Sequence, residues 1–173
     1  MKKIKCTLGT LDVAIKELQA YKADIERKSK ELAKRVGELI AKEAQQGFNS
    51  AIVDDLTPKS GGARLANVSV TVTEKGGMTV VVASGEDSIF AEFGAGVYHG
   101  GAIGSSSHPK GQELGFTIGS YPGQTNAHKN IWGFYENGEL KLTRGAPTSK
   151  PLHTSFIKVI DEVPKLAKEI FSR

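Results

Sequence analysis

An α+β fold is predicted for this 173-residue chain: a long N-terminal helix, an antiparallel sheet of about four strands with a long Gly-rich loop, and a C-terminal helix. Three observations predict it. Apolar residues climb a seven-residue ladder through the first quarter of the chain, the pattern changes to strict alternation from Val68, and helical spacing returns after Pro151. Residues 1–173 read as a single domain. It divides into a helical arm (1–47), a connector with the first hairpin (48–93), a long loop (94–130), a second hairpin (131–145) and a C-terminal helix (146–173).

In the arm, Leu11, Leu18, Ile25, Leu32 and Leu39 recur every seven residues, and Ile15 and Val36 stand four places after two of them. This is one narrow apolar stripe on a helix. Thr10 is suited to cap it, Asp12 to its first turn and Gly47 to its end, so that about 36 residues make a rod of roughly 54 Å, with Gly37 or Ser29 as candidate breaks. Lys22, Ser29 and Glu43 interrupt the remaining rungs. A seam against a sheet or a neighbouring chain therefore fits better than a free two-stranded coiled coil.

The stretch from Phe48 to Ala66 holds a proline, a Gly-Gly pair and Asp54-Asp55, which marks a connector. In Val68-Ser-Val-Thr-Val-Thr73 the valines fall on one face; Glu74-Lys-Gly-Gly77 offers a turn and Met78-Thr-Val-Val-Val-Ala83 returns. Residues 94–130 are rich in Gly, Ser, His and Pro, with an apolar patch only around Leu114 to Ile118, as expected of a binding surface or a segment that orders on assembly. Asn137-Gly138 joins Ile131-Trp-Gly-Phe-Tyr135 to Leu140-Lys-Leu142 as a second hairpin. Pro151 suits the first turn of the last helix, whose apolar face is Leu152, Phe156, Val159, Ile160 and Val163; Pro164 then kinks it or starts a separate short helix.

Composition narrows the function classes. At 39% hydrophobic and 24% charged, with 20 glycines, the chain folds but carries sizeable solvated segments. No apolar run approaches the length of a membrane span, and the start does not read as a signal peptide, so use in a cytoplasm is expected. Cys6 is the sole cysteine, which excludes an internal disulfide. A net charge of +4 permits a nucleic-acid neighbour without requiring one.

The search for chemistry finds little. There is no G-x-S-x-G elbow around Ser105, Ser106 and Ser107, although His108 follows them. His99, His108, His128 and His153 lack the spacing of a helical metal site and read as polar surface. No phosphate-binding glycine motif is present. Trp132, Phe134 and Tyr135 suit packing better than base stacking, with only Lys129 as a close basic neighbour. No catalytic residue, cofactor or metal is assigned, and the chain reads as a non-enzyme. Glu92, set between Phe90 and Phe93 ahead of Gly94, Ala95 and Gly96, remains open to two readings: a charged contact on an interface, or a structural turn with both rings in the core.

The segments "GGARLANVSVTV", "IFAEFGAG" and "GAPTSKPLHTSF", in that order after a helical first part, resemble the tail-completion (neck, head-tail joining) proteins of tailed bacteriophages and prophages, a group related to lambda minor tail protein Z. Glu92, Phe93 and Gly94 match its acid-aromatic-glycine turn, and Pro151, Leu152 and Phe156 match the proline and large apolar residues that open its last helix. The segment Val97 to Arg144 is longer than in compact members, and Lys150-Pro-Leu-His153 replaces a proline-phenylalanine start. The resemblance implies a homo-oligomeric hexameric ring at the head-proximal end of the tail tube, in the virion neck, assembled in the host bacterial cytoplasm. Its partners would be itself, the tail tube protein and the head connector or a head-completion protein, with DNA passing through unrecognised. Phe90, Glu92, Phe93, Gly94, Pro151, Leu152 and Phe156 are the expected subunit or partner contacts. The alternative is a DNA-binding adaptor acting during packaging or head completion, which draws on the net charge and on Lys2, Lys3 and Lys5.

Overall fold

A computed structural model describes residues 8–52, 54–55, 68–85, 87–98, 106–117, 125–126, 128–136 and 138–172. Helix α1 (Leu8–Ser50) runs for 43 residues without a break. Neither expected breaker acts, and Thr10 lies inside the helix instead of capping it. The reason is close packing. A Cβ on Gly37 would lie 2.7 Å from the Thr79 methyl and 3.3 Å from Val72 Cγ1, and one on Gly47 would lie 2.9 Å from Pro151 Cβ. Both glycines are notches in which other elements rest, and their helix-propensity cost of roughly 1 kcal/mol each is offset by those contacts.

Strand β1 (Asp54–Asp55) is followed by β2 (Ser69–Lys75) and β3 (Met78–Ser84), which pair antiparallel with Val70 opposite Ala83 and Val72 opposite Val81. Gly76 and Gly77 both take positive φ, as the mirror-image two-residue turn of a twisted hairpin requires. The hairpin lies on the C-terminal half of α1. Gln45 of that helix extends the edge of β2 as a strand would: its Nε2 donates to Val68 O at 2.9 Å and its Oε1 accepts from Val70 N at 2.8 Å.

Helix α2 (Ser88–Phe93) comes next, then β4 (Trp132–Glu136) and β5 (Glu139–Gly145), helix α3 (Pro151–Ile160) and helix α4 (Val163–Phe171). The architecture is α+β, but the expected single sheet of about four strands divides in two. Strands β2 and β3 form one sheet, and β1, β5 and β4, in that order, form the other. The chain leaves β3 for α2 within four residues, so the second hairpin finds its edge partner in the connector, through Asp54 opposite Gly145 and Asp55 opposite Thr143.

The core is built of small side chains around one ring: Ala44, Phe48, Ala51, Ala91 and Ala146, with Val68, Val70, Ala83, Ala95 and Leu152 against it. Alanine at these positions lets α1, α2 and the 146–152 segment approach closely. The buried face of α3 is Pro151, Ser155 and Val159; the expected members Phe156 and Ile160 are about half exposed. Pro164 sits in the first turn of α4, where its missing N–H matters least, so the C-terminal segment is two helices. Along α1, Leu32, Val36 and Leu39 are partly covered, whereas Leu11, Leu18 and Ile25 are exposed. No described helix is long and apolar enough to cross a membrane.

Candidate functional site

The acid-aromatic-glycine stretch forms α2, not a bare turn, and its last residues are fastened to the segment that opens α3. Ala91 O accepts from Ser149 N at 2.9 Å and Lys150 N at 3.3 Å, and Ala95 exchanges both backbone bonds with Ala146. Gly94 makes this approach possible. Its φ of 81° and ψ of 169° belong to a region open essentially to glycine, and a Cβ there would lie 2.5 Å from Thr148 Oγ1 and 3.2 Å from Ala146 O.

Helix α3 has no cap of its own. Lys150, the residue before it, is left-handed (φ 57°, ψ 44°) and gives no side-chain hydrogen bond to the first turn. Glu92 supplies the cap from α2. Its Oε2 accepts from Leu152 N at 2.8 Å and its Oε1 from His153 N at 2.9 Å. Pro151, at the first helical position, has no N–H to satisfy, so these are the next two orphan donors of the helix. A carboxylate at this end also meets the positive pole of the helix dipole.

A third donor completes the arrangement. His108 Nε2 lies 3.0 Å from Glu92 Oε1, and its Nδ1 accepts from Lys110 N at 3.0 Å. The second contact leaves Nδ1 bare, which puts the proton on Nε2, where it is donated to Glu92. Burial holds the His108 pKa below the ordinary 6.5, against the opposing pull of Glu92; His153 and Lys150 add to the lowering. His108 is thus a neutral hydrogen-bond donor. Its ring centroid is 4.6 Å from that of Phe93 and 5.1 Å from that of His153, and Phe93 stacks on Phe116 at 4.1 Å. The Phe93 carbonyl accepts from Ser106 Oγ and Thr148 Oγ1.

Three stretches distant in sequence, 91–95, 106–117 and 146–153, therefore meet at one buried carboxylate. Chemically the corner is closed. Both imidazole nitrogens of His108 are engaged, and the Ser106 hydroxyl donates to a carbonyl while accepting from His108 N. Among the described residues no group of three His, Cys, Asp or Glu able to hold a metal ion is present.

Beside the corner opens a groove of about 400 Å³, with Ile89, Leu114, Leu152 and Phe156 on its apolar walls and Glu92, His108 and His153 at its polar end. Of the seven expected contact residues, Glu92, Phe93, Gly94 and Pro151 are buried within the chain, Phe90 and Leu152 are partly covered, and Phe156 is 49% exposed. The buried four hold the corner together. Phe156 is the member of the set that faces outward. The sequence reading missed His108, taken for polar surface but 6% exposed, and with it Phe116 and Thr148. A histidine followed by proline in a Gly/Ser-rich loop carries no local sign of burial; the signal was the unpaired acid at Glu92, which needed donors from elsewhere. In comparisons with known proteins, no family model, curated protein or solved structure matches this chain.

Proposed function

We propose that this chain is a structural assembly protein of a tailed phage or prophage, forming a ring at the head-proximal end of the tail tube that terminates the tail and joins it to the capsid connector. The observation that carries the reading is the meeting of the two sequence elements on which the resemblance rests. Glu92, Phe93 and Gly94 are some sixty residues from Pro151 and Leu152, yet the Glu92 carboxylate holds the first turn of the helix those residues open. The mutual engagement of the Glu92 carboxylate, both His108 ring nitrogens and the Ser106 hydroxyl supports a scaffold role over catalysis.

The mechanism is geometric. A ring seated on the open end of a growing tube stops further addition of tube subunits and offers a new face to the head. No bond is made or broken. Affinity comes from repeated modest contacts around the axis, each copy presenting the groove wall of Phe156 to its neighbour in the ring. The DNA-adaptor alternative draws on Lys2, Lys3 and Lys5, which lie outside the described residues; along the long helix Lys22, Arg27, Lys28, Lys34 and Arg35 are paired with acids of the same helix.

Electron microscopy of particles produced with the gene for this chain deleted tests the proposal. Separate heads and tails, or tails of abnormal length, are expected; normal joined particles in normal yield would overturn it.

A further inference from the structure

The first half of α1 carries a run of exposed apolar side chains. Leu11, Val13, Ile15, Leu18, Tyr21 and Ile25 are between 37% and 68% exposed. Leu11, Ile15, Leu18 and Ile25 continue the same stripe that, further along the helix, is partly covered at Leu32, Val36 and Leu39. The covered and open parts are one seam with one period, and among the described residues the N-terminal part is left exposed.

The charges beside the seam indicate what could cover the rest. Between Leu11 and Lys28 the charged residues are Asp12, Lys16, Glu17, Lys22, Asp24, Glu26, Arg27 and Lys28, four acids and four bases. Several are closed on one another: Lys22 with Glu26 at 3.8 Å, Arg27 with Asp24 at 2.7 Å, Lys28 with Asp24 at 2.8 Å and Arg27 with Glu31 at 3.6 Å. A phosphate backbone or an anionic bilayer calls for an excess of one sign, and this face has none. What it offers is an apolar row some 21 Å long from Leu11 to Ile25 at 1.5 Å per residue. A partner must present a row of matching length and seven-residue period. A second copy of this helix does so by construction.

We infer that two copies of this chain pair through the open half of α1, seam to seam along Leu11, Ile15, Leu18 and Ile25. The four seam side chains, with Tyr21 on their flank, amount at these exposures to on the order of 500 Å² per copy, so the pair buries at most about 1,000 Å², the lower edge of a specific interface. Lys22 lies in the seam between Leu18 and Ile25, and a lysine at a core position selects register at a cost in stability. The pair is accordingly weak, with a dissociation constant in the micromolar range rather than nanomolar. The contact is separate from the Phe156 face, and the inference holds whether or not the chain forms a ring.

Sedimentation equilibrium of the full chain, from about 5 µM to about 500 µM, tests it. The parent should shift from monomer to a larger species across this range. Leu18→Asp should raise the dissociation constant at least about 100-fold while changing the urea midpoint of the monomer little, since Leu18 is 68% exposed. Phe156→Asp should leave the arm association intact. A parent that stays monomeric throughout, or a Leu18→Asp chain that associates as strongly as the parent, overturns the inference. If association is lost with Phe156→Asp and kept with Leu18→Asp, the arm pair is refuted while the ring reading gains support.

Discussion

Replacing Glu92 by glutamine exchanges one carboxylate oxygen for an NH2 group and tests the corner directly. The carboxylate accepts three hydrogen bonds, two at Oε1 from His153 N and His108 Nε2 and one at Oε2 from Leu152 N. An amide has one acceptor oxygen. With that oxygen in the Oε1 position, the amide NH2 faces Leu152 N–H, donor against donor; flipped, it faces two donors. The better orientation leaves one buried donor unsatisfied, at a cost of about 1–3 kcal/mol. Loss of negative charge at the α3 N-terminus adds about 0.5–1 kcal/mol. The expected destabilisation is therefore about 2–4 kcal/mol. With a urea slope of about 2 kcal/mol per molar, far-UV circular dichroism should find the unfolding midpoint lowered by about 1–2 M. A midpoint within about 0.3 M of the parent's would mean that water satisfies these donors as well as Glu92 does, and the corner would not hold α3.

Acidification should weaken the fold through His108. Its folded pKa lies below 6.5, so its contribution is complete above that pH and is lost as pH falls through the depressed folded value, because the unfolded chain takes up the proton first. In urea titrations from pH 7.5 downward, the advantage of the parent over His108→Gln should shrink on passing below pH 6.5; a constant difference would refute the neutral, buried assignment. Gly47→Ala should destabilise by about 1–2 kcal/mol despite its higher helix propensity, because its Cβ would meet the Cβ and Cα of Pro151, whereas Gly9→Ala, in open space, should be neutral or mildly stabilising when measured the same way.

The elements with strong local periods were legible in the sequence. The seven-residue ladder marks α1, alternating valines mark β2, and Pro151 marks the start of α3. What misled were residues whose role is set by something remote. Gly37 and Gly47 look like helix breakers from their own propensity, yet they are the places where Thr79 and Pro151 come to rest. The division into two sheets depends on a two-residue strand in the connector, too short to have a period. At the site, Glu92 was conspicuous as an acid between two phenyl rings, and both an interface and a locking role were open to it. Its partners could not be read, because a backbone N–H sixty residues away leaves no mark on composition and His108 sits in a stretch that resembles solvated loop. Phe93→Asp is consequently a poor probe of assembly: the ring is 9% exposed, stacked on Phe116, and a charge there would disrupt the fold itself.

An outward residue is the sharper probe, and Phe156 provides it. Particles lacking this chain can be supplied in trans with the parent or with Phe156→Asp, and joined virions counted by electron microscopy. The parent is expected to restore joined particles, and the variant, folded as judged by circular dichroism, is expected to fall short by at least about tenfold. Full restoration by the variant would contradict a role carried by this face, and joined particles in the absence of any copy of the chain would contradict the assembly role altogether.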